Sequence, residues 1–310
     1  MRDYFKICRK MNLRKIGVAV KSLGVVSAVS LIAGCRNFAE MSPYRVTPCE
    51  AICGKEVREF DWGKRKKVSA TAEMKICLPT DKGLQKFAEE NIALNWRNAT
   101  FADKVSANGY QDTVTCFFAD FKENISKEYK ESKGAETPVN WEYSLSGGIE
   151  WESGEYLSYR SAITTYFGGA HPGECYWNGT YSRALDRRMV VSDLFEEKNL
   201  LAVAAIICKE ISKNYRSSEP LRRAVSNEVV KIQRGDYKSY AEYAGQYDGI
   251  GEGDIGGKPR VSENFMIVED GIIWTYNEYE IASYSEGHTD VLLPWKSIMP
   301  YLKSLDIVAK

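Results

Sequence analysis

Histidine is nearly missing from this sequence: His171 and His288 are all that 310 residues supply. A metal centre built on imidazoles therefore has too few ligands to draw on. The cysteines do not repair this, because their spacings contain no repeated Cys-x-x-Cys pair and Cys49 to Cys53 is the one close couple. Net charge is missing as well, with 42 basic residues against 42 acidic, which excludes the basic surface of a nucleic-acid binder. There is also no apolar run of the roughly 20 residues that a bilayer crossing takes. Neither a metal nor a cofactor is expected.

What is present begins at the N-terminus. Arg2, Lys6, Arg9, Lys10, Arg14 and Lys15 stand against one acid, Asp3, and Ser22 to Ala33 is uncharged and rich in Val, Leu and Ala. A basic stretch, a short apolar stretch and small residues, in that order, have the form of a secretory signal. The stretch ends in Leu31-Ile32-Ala33-Gly34-Cys35, which resembles the lipobox of bacterial lipoproteins. The resemblance implies that residues 1–34 are removed and that Cys35 carries lipid, a role that suits the most readily alkylated side chain. Met11 is an alternative start. The domain is then expected outside the cytoplasm, in the cell envelope, with the membrane as partner through its lipid.

Setting aside the seven basic residues and one acid within residues 1–34 leaves 35 basic against 41 acidic, a mildly acidic mature chain. Six cysteines also remain: Cys49, Cys53, Cys77, Cys116, Cys175 and Cys208. An exported chain permits disulfides among them, while Cys77, Cys116 and Cys208 lie in apolar patterns that equally suit buried thiols.

Residues 35–65 read as a polar, aperiodic tether with Pro43 and Pro48. Val68, Ala70, Ala72, Met74 and Ile76 then alternate with polar residues, which predicts a half-buried strand. Asp81 is placed to cap a helix with Leu84, Phe87, Ala88, Ile92 and Trp96 on one face, and a second helix is expected after a cap at Asp112. Together these predict a companion subdomain over residues 66–130, bounded by the polar run from Lys130 to Pro138.

A C-terminal domain over residues 139–305 opens with an antiparallel meander through Trp141 to Phe167. Asn178-Gly179 reads as a tight turn or a bulge. Leu200 to Tyr215 keeps helical spacing, Pro220 opens a short helix, and six glycines make residues 244–260 a loop. Strands Asn264 to Val268 and Ile272 to Tyr276 flank the turn signal Glu269-Asp270-Gly271, and a terminal helix is expected over Trp295 to Leu305. The class is α+β: an antiparallel sheet with helices packed on one face, in one or two subdomains.

Two runs, Tyr166-Phe167-Gly168-Gly169-Ala170-His171-Pro172 and Val191-Ser192-Asp193-Leu194-Phe195, resemble the core of a bacterial family of unknown function. That family includes the extracellular part of RsiV-type lysozyme-sensing anti-sigma factors and the accessory region of some peptidoglycan deacetylases. Asn264-Phe265, Gly271 to Trp274, Tyr279 to Ala282, Gly287 and Leu293-Pro294-Trp295 agree in order and spacing. The resemblance implies an α+β domain outside the membrane. Sigma-factor control does not carry over, since no sigma-binding domain or spanning helix is present, and neither does deacetylase chemistry. Asp186-Arg187-Arg188 lacks the glycine usual in the family, which puts that hairpin in doubt.

His171, in a loop bounded by Gly168 and Gly169, is the candidate for chemistry, with Asp193 or Glu174 as a carboxylate partner; the alternative is an imidazole that satisfies the loop backbone. Tyr176 and Trp177 join Trp141, Tyr143, Trp151, Tyr156, Tyr159 and Tyr181 as rings that either pack the sheet or present a platform to sugars or a protein. Gly251 to Gly256 matches a dinucleotide-binding glycine pattern formally but lacks a preceding strand. The expectation is a non-catalytic module for peptidoglycan or a peptidoglycan-acting, lysozyme-like protein, with an envelope hydrolase using His171 as the alternative.

Overall fold

The computed structural model describes residues 47–62, 66–98, 110–131, 138–214, 217–245 and 258–304. The leader, Cys35 and the glycine pattern at 251–256 lie outside the described residues. The expected tether is corrected where it enters them. Cys49–Trp62 is a strand, β1, paired antiparallel along its whole length with β2, Lys66–Pro79. Charged residues typical of a sheet edge hide its periodicity, yet it still packs Phe60 5.1 Å from Phe121 and Trp62 5.2 Å from Tyr129. Cys53 is disulfide-bonded.

Asp81 does cap α1, Lys82–Asn98: its Oδ1 accepts from the amides of Gly83 and Leu84, both at 3.0 Å. Helix α2, Tyr110–Glu131, starts ahead of Asp112, which lies inside it rather than at its cap. The two helices form a crossover, so β3, Trp141–Glu152, lies parallel to β2, as a parallel pair requires. Strands β4 (Tyr156–Tyr166), β5 (Gly173–Ser182) and β6 (Arg187–Arg188) continue antiparallel, giving a six-stranded sheet in sequence order. The sheet runs through the expected boundary, and residues 66–130 supply one of its strands and its helical cover.

Asn178-Gly179 is neither turn nor bulge. Gly179 sits mid-strand opposite Tyr159, and a Cβ there would stand 2.6 Å from Asn91 Oδ1 and 2.7 Å from Arg188 Nη1. Glycine lets the Arg188 side chain cross the strand and donate to Asn91, to the Asn178 carbonyl and to the Glu263 carbonyl. The β5–β6 hairpin forms without its glycine. Asp186 takes the left-handed conformation, φ 51°, which aspartate tolerates better than most residues, and the Tyr181 hydroxyl donates to its carboxylate.

Beyond α3, Val191–Leu194, come α4 (Leu200–Lys213), α5 (Glu219–Arg234) and α6 (Tyr240–Gly245). Helix α5 is long, not short. Ser218 caps it and Gly235 closes it at φ 78°, the usual glycine stop. Strands β7 (Phe265–Val268), β8 (Gly271–Tyr276) and β9 (Thr289–Pro294) make a second, three-stranded antiparallel sheet. The terminal helix shrinks to α7, Trp295–Ile298, then one tight turn through Tyr301, because Pro300 has no amide to continue an α-helical ladder.

Side-chain alternation decides the layers. Leu157, Tyr159 and Ile163 of β4 join Phe87, Ile92, Phe118 and Phe121 in one core under α1 and α2. From the opposite face Tyr156 joins a second core with Val203, Ile207, Leu221, Phe265, Trp274 and Leu293. The class is α+β, with two cores that share strand β4. Among the described residues no helix is long and apolar enough to cross a membrane.

Candidate functional site

The outer edge of β5 offers backbone groups that the two-residue β6 is too short to pair. Side chains take them instead. Asn264 Oδ1 accepts from the Asn178 amide at 2.8 Å, and Asn277 Oδ1 from the Tyr176 amide at 2.7 Å. Both asparagines donate back to the Tyr176 carbonyl, at 3.0 and 3.1 Å, and Glu278 accepts from the Glu174 amide at 3.3 Å. The edge is thereby blunted against further strand pairing, and residues 277–288 are held beside the Gly168–Pro172 loop.

His171 stands on that rim, exposed. Gly168 and Gly169 turn the loop at φ 89° and 110°, angles that suit glycine. The imidazole lies flat on Tyr284, with ring centroids 3.4 Å apart at 15°. Its Nδ1 donates to the Pro172 carbonyl at 3.1 Å, leaving Nε2 to accept from the Tyr279 hydroxyl at 3.4 Å. This assigns the tautomer from its partners. Tyr279 has φ 65°, a strained setting for a bulky residue that is held where surroundings over-determine it.

Glu278 is the carboxylate that feels His171. Burial pushes its carboxyl upward, the Glu174 charge adds to that, and the imidazole opposes it. Asp193 is elsewhere, which corrects the expected dyad. It follows β6 at the far end of β5, whose ten residues at about 3.3 Å each separate it from His171. Its carboxylate is already spent on Arg187, at 2.7 and 2.8 Å, and on the Val190 amide at 2.9 Å. Glu174 accepts from the Tyr176 hydroxyl at 3.2 Å. Among the described residues no carboxylate hydrogen-bonds either nitrogen of His171, and no group of three or more His, Cys, Asp or Glu side chains is placed to hold a metal.

Tyr176 and Trp177 point to opposite faces, so they do not form one platform. Tyr176 packs against His288, ring centroids 4.0 Å apart and tilted by 35°, beside Arg160, and burial, then the Glu174 charge, pushes its phenol up to about 12. Trp177 lies on the helix side under Arg188, 5.6 Å away. Tyr143, Tyr156, Tyr159 and Tyr181 are buried, and Trp141 packs on Phe121 and Phe167. Those rings pack the sheet. No sequence motif pointed to Tyr284, Asn277 or Glu278, whose one visible signal is the neighbouring family-like run from Tyr279 to Ala282.

Residues 192–296 match a family model described as "Protein of unknown function (DUF3298)". No curated protein matches the chain. A DUF3298 family member from Bacteroides fragilis NCTC 9343 has a similar fold, with TM-score 0.63 at 17% identity, covering 85% of this chain and 96% of that one. A DUF3298 family protein from Pseudomonas aeruginosa PAO1 gives TM-score 0.50 at 12% identity, over 84% and 95%. Residues 192–296, which span most of α3 to β9, thus match the DUF3298 model, and the fold of the chain is similar to the folds of two proteins described as DUF3298 family members.

Proposed function

We propose that this protein is a lipid-anchored module of the cell envelope, anchored through Cys35, that binds peptidoglycan or a protein acting on it, such as lysozyme, without catalysing a reaction. The observation that carries the reading is the state of His171. The hydrolase alternative needs a carboxylate beside the ring, whereas this imidazole is stacked on Tyr284, Asp193 is bonded to Arg187 and Glu174 takes the Tyr176 hydroxyl. An exposed ring stack beside Glu174 and Glu278 is instead a recognition surface, with flat apolar faces and acceptors at their edge.

The lipobox-like run supports the location. Intact-mass measurement of the membrane fraction should find Cys35 acylated and N-terminal, and an unlipidated N-terminus upstream of it would refute the anchor. Full-length protein in detergent should be retained on purified cell wall or capture lysozyme, and His171→Ala combined with Tyr284→Ala should weaken that capture. If wild type does neither, the module reading is lost. Hydrolysis of cell wall that disappears in His171→Ala while the fold survives would establish the hydrolase alternative.

A further inference from the structure

The chain enters the described fold at one end of the large sheet, and the His171 rim stands at the other. Thr47 lies just ahead of Cys49, whose partner in β2 is Pro79, and β2 runs parallel to β3, so the entry point meets Glu152 at the end of β3. The Gly168–Pro172 loop joins the opposite ends of β4 and β5, where Thr165 pairs with Gly173. The eleven residues of β4, at about 3.3 Å each, put roughly 36 Å between the two ends.

Where a chain enters a domain it tends to fray, but here it is clamped. The Thr47 amide donates to Glu152 Oε2 at 2.8 Å and its hydroxyl donates to Oε1. Arg183 donates to the same Oε1 and, at 3.2 Å, to the Thr47 hydroxyl. The Pro48 carbonyl accepts from the amide and the hydroxyl of Thr80, at 2.9 and 3.2 Å. The Glu152 side chain is only 4% exposed, so releasing Thr47 would take two donors from a buried carboxylate. The clamp thereby ties the entry point to β3 and to the residue after β5, past the neighbouring β2.

Strand direction decides how such a sheet bears tension. A pull on the chain ahead of Thr47 enters the described fold at Thr47, and a counter-pull at the rim enters at the far ends of β4 and β5. Between them the strands are drawn along their own axes. Antiparallel ladder bonds lie perpendicular to the strands, so the fourteen residue pairs from Cys49 to Trp62 of β1 are all sheared together. Pulling two neighbouring strand ends apart would instead load one pair at a time.

We propose that this domain is a load-bearing link, which takes tension between the membrane and its ligand in shear, with the Thr47, Glu152 and Arg183 clamp as the point where load enters the sheet. The proposal rests on the binding-module reading, which supplies the lipid at Cys35 and the ligand at the rim. It adds that the ligand is one fixed in the cell wall, since a freely diffusing protein cannot pull.

Optical tweezers test this on the full-length protein in detergent. One handle is attached through an azide-bearing residue at Asn37 and the other at Ala170, in the rim loop, or at Lys82, which follows β2 beside the entry point. Rupture through Ala170 should need at least twice the force of rupture through Lys82 at the same loading rate, because forced unfolding follows the unfolding barrier in each direction. Thr47→Val should lower the Ala170 force by about a quarter or more; if that variant does not fold, Arg183→Gln takes its place with the same expectation. Equal forces in the two directions, or a folded clamp variant that ruptures through Ala170 at the wild-type force, overturns the load-bearing link and leaves the module reading standing. Failure of both lysozyme and cell-wall capture removes that reading, and with it the ligand that would pull.

Discussion

On its helix-covered face the six-stranded sheet offers Leu157, Tyr159 and Ile163 to a cluster with Phe87, Ile92 and Phe121. On the opposite face the same strands offer Ser158, Arg160, Asn178 and Thr180 beside the apolar Tyr156, and a layer of hydrogen bonds joins the second sheet there. Arg160 Nε donates to Asn178 Oδ1 at 2.9 Å, Asn178 Nδ2 to Thr275 Oγ1 at 2.6 Å, and Thr275 in turn to Asp290. Ser158, Asn178, Thr180 and Thr275 are fully buried. An apolar layer stabilises in proportion to area and tolerates small displacements. A buried polar layer stabilises little on balance but punishes every misplacement, because an unpaired group bears its full desolvation cost. The first face therefore secures the fold, and the second fixes where the small sheet sits and so where the rim at His171 stands.

The contrast is sharpest in the core. Phe121, fully buried, should cost about 3–5 kcal/mol when changed to Ala, as read from denaturant midpoints at constant slope. Asn178→Ala, which strands Arg160 and Thr275, should cost about 1–3 kcal/mol. Its distinguishing sign is a looser second sheet, with faster amide exchange in β7 and β8 than in β2. Exchange that rises equally in both would erase the contrast drawn between the faces.

Gly179→Ala probes the crossing of Arg188. The atoms that a Cβ meets are side-chain ends, at 2.6 and 2.7 Å, so the loss should be about 1 kcal/mol. Its check is a double-mutant cycle with Asn91→Ala, which should show coupling between the two sites.

The smallest effect is at Asp193. Arg187 holds its carboxyl below the ordinary range, so its contribution is complete above the unfolded value of about 4 and is lost as pH falls through the folded one. The Arg187 side chain is 48% exposed, and solvent screening keeps the gain to a fraction of a kcal/mol. Stability profiles of wild type and Asp193→Asn should converge below about pH 4 and separate above it; curves that stay parallel across that range would show that the ion pair contributes nothing.

Local signals were read well. The Asp81 cap, the alternation of β2, the turn at Glu269-Asp270 and the apolar stripe of α4 each depend on residues within a few positions of one another. The readings that failed depend on distant partners. Strand β1 needs β2 to pair with and α2 to cover Phe60 and Trp62, and its charged edge positions hide that. Asn178-Gly179 looks like a turn because its reason for glycine, the Arg188 side chain crossing above it, comes from another strand. The partners of His171 are Tyr279 and Tyr284, more than a hundred residues away, and no spacing rule links them.

The sequence by itself determined the element types, the α+β class and the loop geometry at Gly168-Gly169, because backbone preference and side-chain period are written residue by residue. Tertiary structure alone decided that His171 meets tyrosines rather than Asp193, and that Tyr176 and Trp177 face opposite ways into different layers. Those outcomes depend on register and on which face a neighbouring layer covers, and both are set by contacts between segments far apart in the chain.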